Sequence, residues 1–205
     1  MKQQIKKLIG ILTVTLTLNA SEVISLGVIE VDSDTAPKLS IDEAKTYIKQ
    51  SMTYLDKELK EKINSLSPST KKTLLNIYRH HDRHSQKATL RQVMQEVSQE
   101  FETMVSALMM DNPEMAGDAA RRLANHRIPR GGLISYLKLE DINDEMLSGL
   151  DATNAQVEGN AIKFAKATDR GDILEASNYI TPIANGCISC HEVFRGKPGL
   201  NKHIK

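Results

Sequence analysis

TLRQVMQEVSQEFETMVSALMMDNP, residues 89–113, decides what kind of fold this chain can adopt. Thr89 with Gln92 three residues on is a capping box, the signature of a helix start. After it Leu90, Met94, Val97, Phe101, Met104 and Leu108 recur at steps of 4, 3, 4, 3 and 4, which lines one side of a helix with apolar groups. Asp111-Asn112-Pro113 closes the run, and Pro113 suits the first turn of a second helix, PEMAGDAARRLANHR, that ends before Pro129, Gly131 and Gly132.

The same period continues on both sides. Beyond a loop reaching to Leu139, Ile142, Met146, Leu150, Thr153, Val157, Phe164 and Ala167 predict a long third helix, interrupted or merely weakened at Gly149 and Gly159 and stopped at Asp169-Arg170-Gly171. Ile173, Ala176, Ile180, Ile183, Cys187, Cys190 and Phe194 then step by 3, 4, 3, 4, 3 and 4 to give a fourth. Pro182 should kink that helix or begin its second half, and Gly196-Lys197-Pro198 should end it. Upstream, Ser40 and Glu43 form another capping box, opening a helix expected to run to about Ser65. Ser67-Pro68 restarts a helix carrying Leu74, Leu75 and Tyr78.

These signals predict an all-α chain: an up-and-down four-helix bundle over 88–197, preceded by an N-terminal helical hairpin extension over 40–87. Composition agrees, with 4% aromatic residues and no Trp. There is no strand alternation and no repeat of fixed period. Residues 198–205 read as a C-terminal tail.

Residues 1–20, MKQQIKKLIGILTVTLTLNA, combine three lysines with an apolar run too short for an ordinary membrane span of about 20 residues. The layout is that of a signal peptide, so export to the periplasm is expected, and membrane contact only if the segment stays uncleaved. Ala20 suits the cleavage position, although Leu18 is bulky two residues before it. Residues 21–39 read as a leader or linker. Losing Lys2, Lys6 and Lys7 takes the formal charge from +1 to −2, which argues against a nucleic-acid partner.

The only two cysteines stand together near the end, in CISCH at 187–191. C-x-x-C-H is the attachment pattern of c-type haem. Two thiols three apart project to one side of a helix and can each form a thioether to a porphyrin vinyl group, while His191 offers a neutral imidazole nitrogen to the iron. The expected cofactor is one covalently attached haem c per chain. Three rivals remain: a thioredoxin-type pair, which belongs near a βαβ pattern that is missing here; a zinc site, which needs two further ligands; and a plain disulfide, which does not require His191. A second axial ligand should come from the seam of a facing helix, where Met94 and Met104 stand, both of them also natural core fillers.

NGCISCHEVFRG resembles the C-terminal haem helix of the class II c-type cytochromes, the cytochrome c-prime family, with its C-x-x-C-H-x-x-[FY]-R pattern. FETMVSALMMDNPEMAGDAA is similar to that family's passage from first to second helix. The resemblance covers about residues 88–197. It implies that Met94 occupies the distal position over the iron, where high-spin, gas-binding members carry an apolar residue and low-spin members carry Met. It thus implies a six-coordinate His191/Met94 haem that transfers single electrons between redox partner proteins, with no catalysis of its own. Five-coordinate iron that binds NO or CO, or serves as a sensor, is the alternative. Arg195 matches the arginine that lies near the ring and its propionates. The family's arginine near the start of the first helix is unmatched: Leu90 falls there, with Arg91 beside it. Pairing of two copies through the first two helices is a further implication.

RHHDRH, residues 79–84, places His80 and His84 at helical spacing. With no fourth ligand evident for a surface metal site, the stretch reads as a solvated polar helix end. His126 reads as structural or exposed.

Overall fold

Ser40, Asp56, Ser67 and Thr89 each accept a hydrogen bond from a backbone N–H in the first turn of the helix they precede, supplying partners for donors a helix start leaves bare. They open α1 (Ile41–Met52), α2 (Lys57–Ser65), α3 (Pro68–His80) and α4 (Leu90–Met109). At Ser40 and Thr89 the reciprocal half of the capping box is also made, by Glu43 and Gln92. The computed structural model describes residues 36–195, which lie within one compact unit, Ser33–Lys205. The signal segment 1–20, nearly all of the leader 21–39 and the tail 198–205 fall outside the described residues.

Helix α4 leads into α5 (Pro113–Ala124) through Asp111, whose φ of 55° turns the chain, and Asn112, whose side chain caps α5 at Met115 N. After a looped stretch come α6 (Asp144–Leu147), α7 (Leu150–Asn154), a π turn (Ala155–Gly159), α8 (Asn160–Asp169), α9 (Ile173–Ser177) and α10 (Ile180–Phe194). The described residues are mostly helical and contain no strand. A single bridge pairs His84 with Ile128.

One sequence expectation needs correction, and two that left a choice open are decided. The helix over 40–65 is two helices: the chain turns at Thr53–Leu55, where Leu55 is buried, and Asp56 caps a fresh start. The long third helix is divided at Ser148-Gly149 and carries a π turn that ends on Gly159, so both weak points become breaks in α-helical regularity. The fourth breaks at Asn178-Tyr179, and Pro182 falls in the first turn of α10, where its missing N–H costs nothing.

Two buried clusters organise the packing. The larger joins Met104, Ala107 and Leu108 of α4, five residues of α5, and Ala161, Phe164, Ala165 and Ala167 of α8 to Ala176 of α9 and Ile183 of α10. Alanine dominates it because these helices approach closely. At Gly117 a Cβ would stand 2.5 Å from Thr168 Oγ1. Paired charges flank this contact: Arg122 reaches both oxygens of Glu100 at 2.9 and 3.0 Å, and Arg121 pairs with Asp169. The second cluster brings Leu66, with Leu59, Ile63, Leu74 and Ile77 of α2 and α3, against Ile134, Ile142, Leu147 and Leu150. Phe194, at the end of α10, packs on this second cluster too.

The seam of α4 also differs from its heptad reading. Val93 is fully buried, whereas Leu90 and Met94 are half-buried. At about 100° per residue, Val93 lies about 20° from Met104 around the helix and Met94 about 80° away. A straight helix drifts off a strict seven-residue repeat over this length.

Candidate functional site

Cys187, Cys190 and His191 all lie on α10, half-buried, in its C-terminal half. Gly186 is the reason α10 can approach the π turn so closely: a Cβ there would stand 2.6 Å from Val157 Cγ2 and 3.2 Å from Gln156 Cγ. Cys187 packs against the larger buried cluster. The two sulfurs are free thiols, one helical turn apart. Burial pushes both thiols above their ordinary pKa, and at Cys190 the neighbouring Cys187 adds to the effect. That is the opposite of the lowered pKa that activates a C-x-x-C pair for thiol exchange. Burial, reinforced by the charge of Arg195, pushes His191 below the usual histidine range, favouring the neutral imidazole that a metal ligand requires.

The residues expected around these three divide by environment. Met104 is fully buried in the larger cluster, where it packs as a core residue. Met94 is half-buried and is not among the side chains packed against either cluster. Arg195 is exposed at the C-cap of α10, its N–H bonded to His191 O at 2.9 Å. Arg91 is exposed at the start of α4.

A second concentration of chemistry lies elsewhere, and the expectation of a solvated helix end for RHHDRH is overturned there. His81 is fully buried. His84 lies beyond α3, not on a shared face with His80; its ring stacks on Tyr47 at 3.9 Å and on Tyr78 at 5.3 Å, and its Nε2 donates to His81 O at 2.8 Å. The segments after α3 and after α5 are laced together by Ser85 N to Ile128 O (3.0 Å), Ile128 N to Arg83 O (2.8 Å) and Arg130 N to Ala88 O (2.9 Å). Asn125 Nδ2 donates to Asp82 Oδ1 at 2.8 Å. This lacing sets the rings of His81 and His126 4.5 Å apart, centroid to centroid.

Glu158, in the π turn, completes the group. Its Oε1 lies 3.3 Å from His81 Nε2 and 3.5 Å from His126 Nε2. Burial opposes its charge, but the His126 and His81 rings hold its pKa down to about 2. It also lines a cleft of about 390 Å³ together with Lys38, Asn76, His80, Arg121 and Asn125; neither cysteine borders this cleft. Glu158 carries no motif in the sequence. The only forward signal was Gly159 beside it, because π turns replace regular helix often at functional sites.

No family model, curated protein or solved structure matches the chain. No helix among the described residues is long and apolar enough to cross a membrane.

Proposed function

We propose that the chain is an exported, periplasmic monohaem c-type cytochrome that carries single electrons between redox partner proteins and catalyses no reaction itself. The observation that carries this reading is the placement of CISCH. Two unbridged, half-buried thiols stand one turn apart on α10, directly ahead of a histidine whose surroundings favour its neutral form. Cys187 and Cys190 would hold haem c by thioethers, and His191 would bind the iron. Met94, free of the packed core, would serve as the sixth ligand, and Arg195 would place its charge near the propionates. Haem supplies a one-electron iron couple there, and Met/His ligation raises its reduction potential.

The fold that goes with this reading is the four-helix bundle of the cytochrome c-prime type over 88–197, formed by α4, α5, α7–α8 and α9–α10, with 40–87 as its N-terminal extension. Pairing of two copies through α4 and α5 belongs to the same reading.

Absorbance spectra of the chain matured with a c-type haem attachment system test it. Haem that stays with the denatured protein and a low-spin reduced spectrum indifferent to CO are the expected results, and Met94→Ala should convert the iron to high spin and open it to CO. A wild-type spectrum that shifts with CO would assign the five-coordinate, gas-binding alternative. Absence of covalent haem would leave CISCH as a disulfide or thiol pair and overturn the reading.

A further inference from the structure

We propose that His81, His126 and Glu158 form a binding site for a divalent transition-metal ion, with zinc the best-fitting species, held between the segments that follow α3 and α5 and the π turn. The site is separate from CISCH and does not depend on the haem reading.

The hydrogen bonds fix which atoms face the centre. His81 Nδ1 lies 2.7 Å from Ile77 O, and His126 Nδ1 lies 3.1 Å from Arg127 O. A carbonyl oxygen can only accept, so each Nδ1 carries a proton, and each Nε2 is left as the ring atom facing Glu158, able to ligate a metal once it holds no proton of its own. Both Nε2 atoms point at Glu158 Oε1, itself an acceptor. Three potential ligand atoms thus converge, all within 4.8 Å of one another, and His81 Nε2 is buried with no hydrogen-bond partner. Buried polar atoms are rarely left so, and a cation between the three resolves the convergence.

The distances suit a small tetrahedral ion. Ligand atoms about 2.0–2.1 Å from zinc in tetrahedral geometry stand about 3.3–3.4 Å from each other. The observed 3.3 and 3.5 Å edges at Glu158 match with little adjustment. Two imidazoles and one carboxylate select zinc or another first-row transition ion over calcium or magnesium, which take oxygen ligands. The backbone carbonyls on both Nδ1 atoms are the outer partners that usually orient a metal-bound histidine. Three protein ligands leave a fourth position, and the cleft beside Glu158 gives water or a small anion a way to reach it.

Zinc titration of the full-length matured protein by isothermal calorimetry tests the site. One equivalent should bind and raise the thermal midpoint. His126→Gln and Glu158→Gln should each weaken that equivalent by more than about 100-fold, since even the outer partners of a ligand are worth about 10–100-fold. His126 is partly exposed, so its variant should keep the helical circular dichroism of the parent. X-ray absorption at the zinc edge gives a readout that needs no variant: two imidazole nitrogens and carboxylate oxygen, without sulfur, are expected. Sulfur ligation, no binding, or binding unchanged in both folded variants would overturn the proposal, leaving a protonated histidine–glutamate cluster in its place.

Discussion

Gly186 and Gly159 look interchangeable in sequence, yet they stand in opposite surroundings. A Cβ at Gly186 would press on Val157 and Gln156 of the π turn, while at Gly159 nothing lies within 4 Å. Gly159 also already has helical dihedrals, φ −62° and ψ −38°. Gly159→Ala should therefore stabilise the chain by about 0.4–1 kcal/mol, through a less disordered unfolded state. Gly186→Ala should cost about 1–3 kcal/mol by overpacking and should move Cys187 away from the core it touches. Urea midpoints of the two variants check this, and two shifts of the same sign would contradict it. The same scale explains why Glu158 escaped the sequence. Its role comes from contacts with His81 and His126, which lie far from it along the chain, and no local spacing encodes them. CISCH, whose members are neighbours on one helix, was legible at once.

At the scale of elements, helix starts were legible because the side chain that caps a helix lies within three residues of the amide it serves. Ser40, Ser67, Thr89 and Pro113 all mark observed starts. The break before Asp56 was less legible, since it interrupts an otherwise continuous apolar pattern, whereas Gly149 marked its own weak point. One contact between elements has a pH signature. Asp144, in the first turn of α6, accepts from Thr70 Oγ1 at 2.5 Å and from Ser67 N at 3.0 Å, fastening α6 to the start of α3. The Thr70 hydroxyl, followed by Ser67, holds the Asp144 carboxyl below its ordinary pKa of 3.8. A lowered folded pKa means this contribution is present above 3.8 and is lost as pH falls through the lower folded value. Asp144→Asn should accordingly be less stable than wild type at about pH 7, with a gap that shrinks as pH falls below the ordinary carboxylate range. Denaturant midpoints at neutral and acid pH measure the difference, and a gap that does not shrink in acid would show that the link is not electrostatic.

At the scale of the whole molecule, the apolar periods made all-α legible but not which faces meet. Period identifies a face to be buried and carries no address for its partner. That missing address is where the N-terminal helices matter most. Leu66 and its neighbours on α2 and α3 cover Ile134, Ile142, Leu147 and Leu150, the last three fully or almost fully buried, and Phe194 of the CISCH helix packs on the same cluster. Removing residues 1–87 would therefore strip the cover from one side of the remaining chain, expose those side chains, and remove His81 from its pairing with Glu158. Each newly exposed Leu or Ile forfeits about 1.5–3 kcal/mol of burial, and a few of them match the entire stability of an ordinary domain of about 5–15 kcal/mol. The fragment 88–205 should then be poorly folded or aggregate, bind a hydrophobic dye, and melt with low cooperativity. Thermal melts and dye fluorescence of the fragment beside the full chain decide the matter. A cooperative melt near that of the parent would mean that the helices from α4 onward hold their own core, and that α1–α3 are an accessory to it.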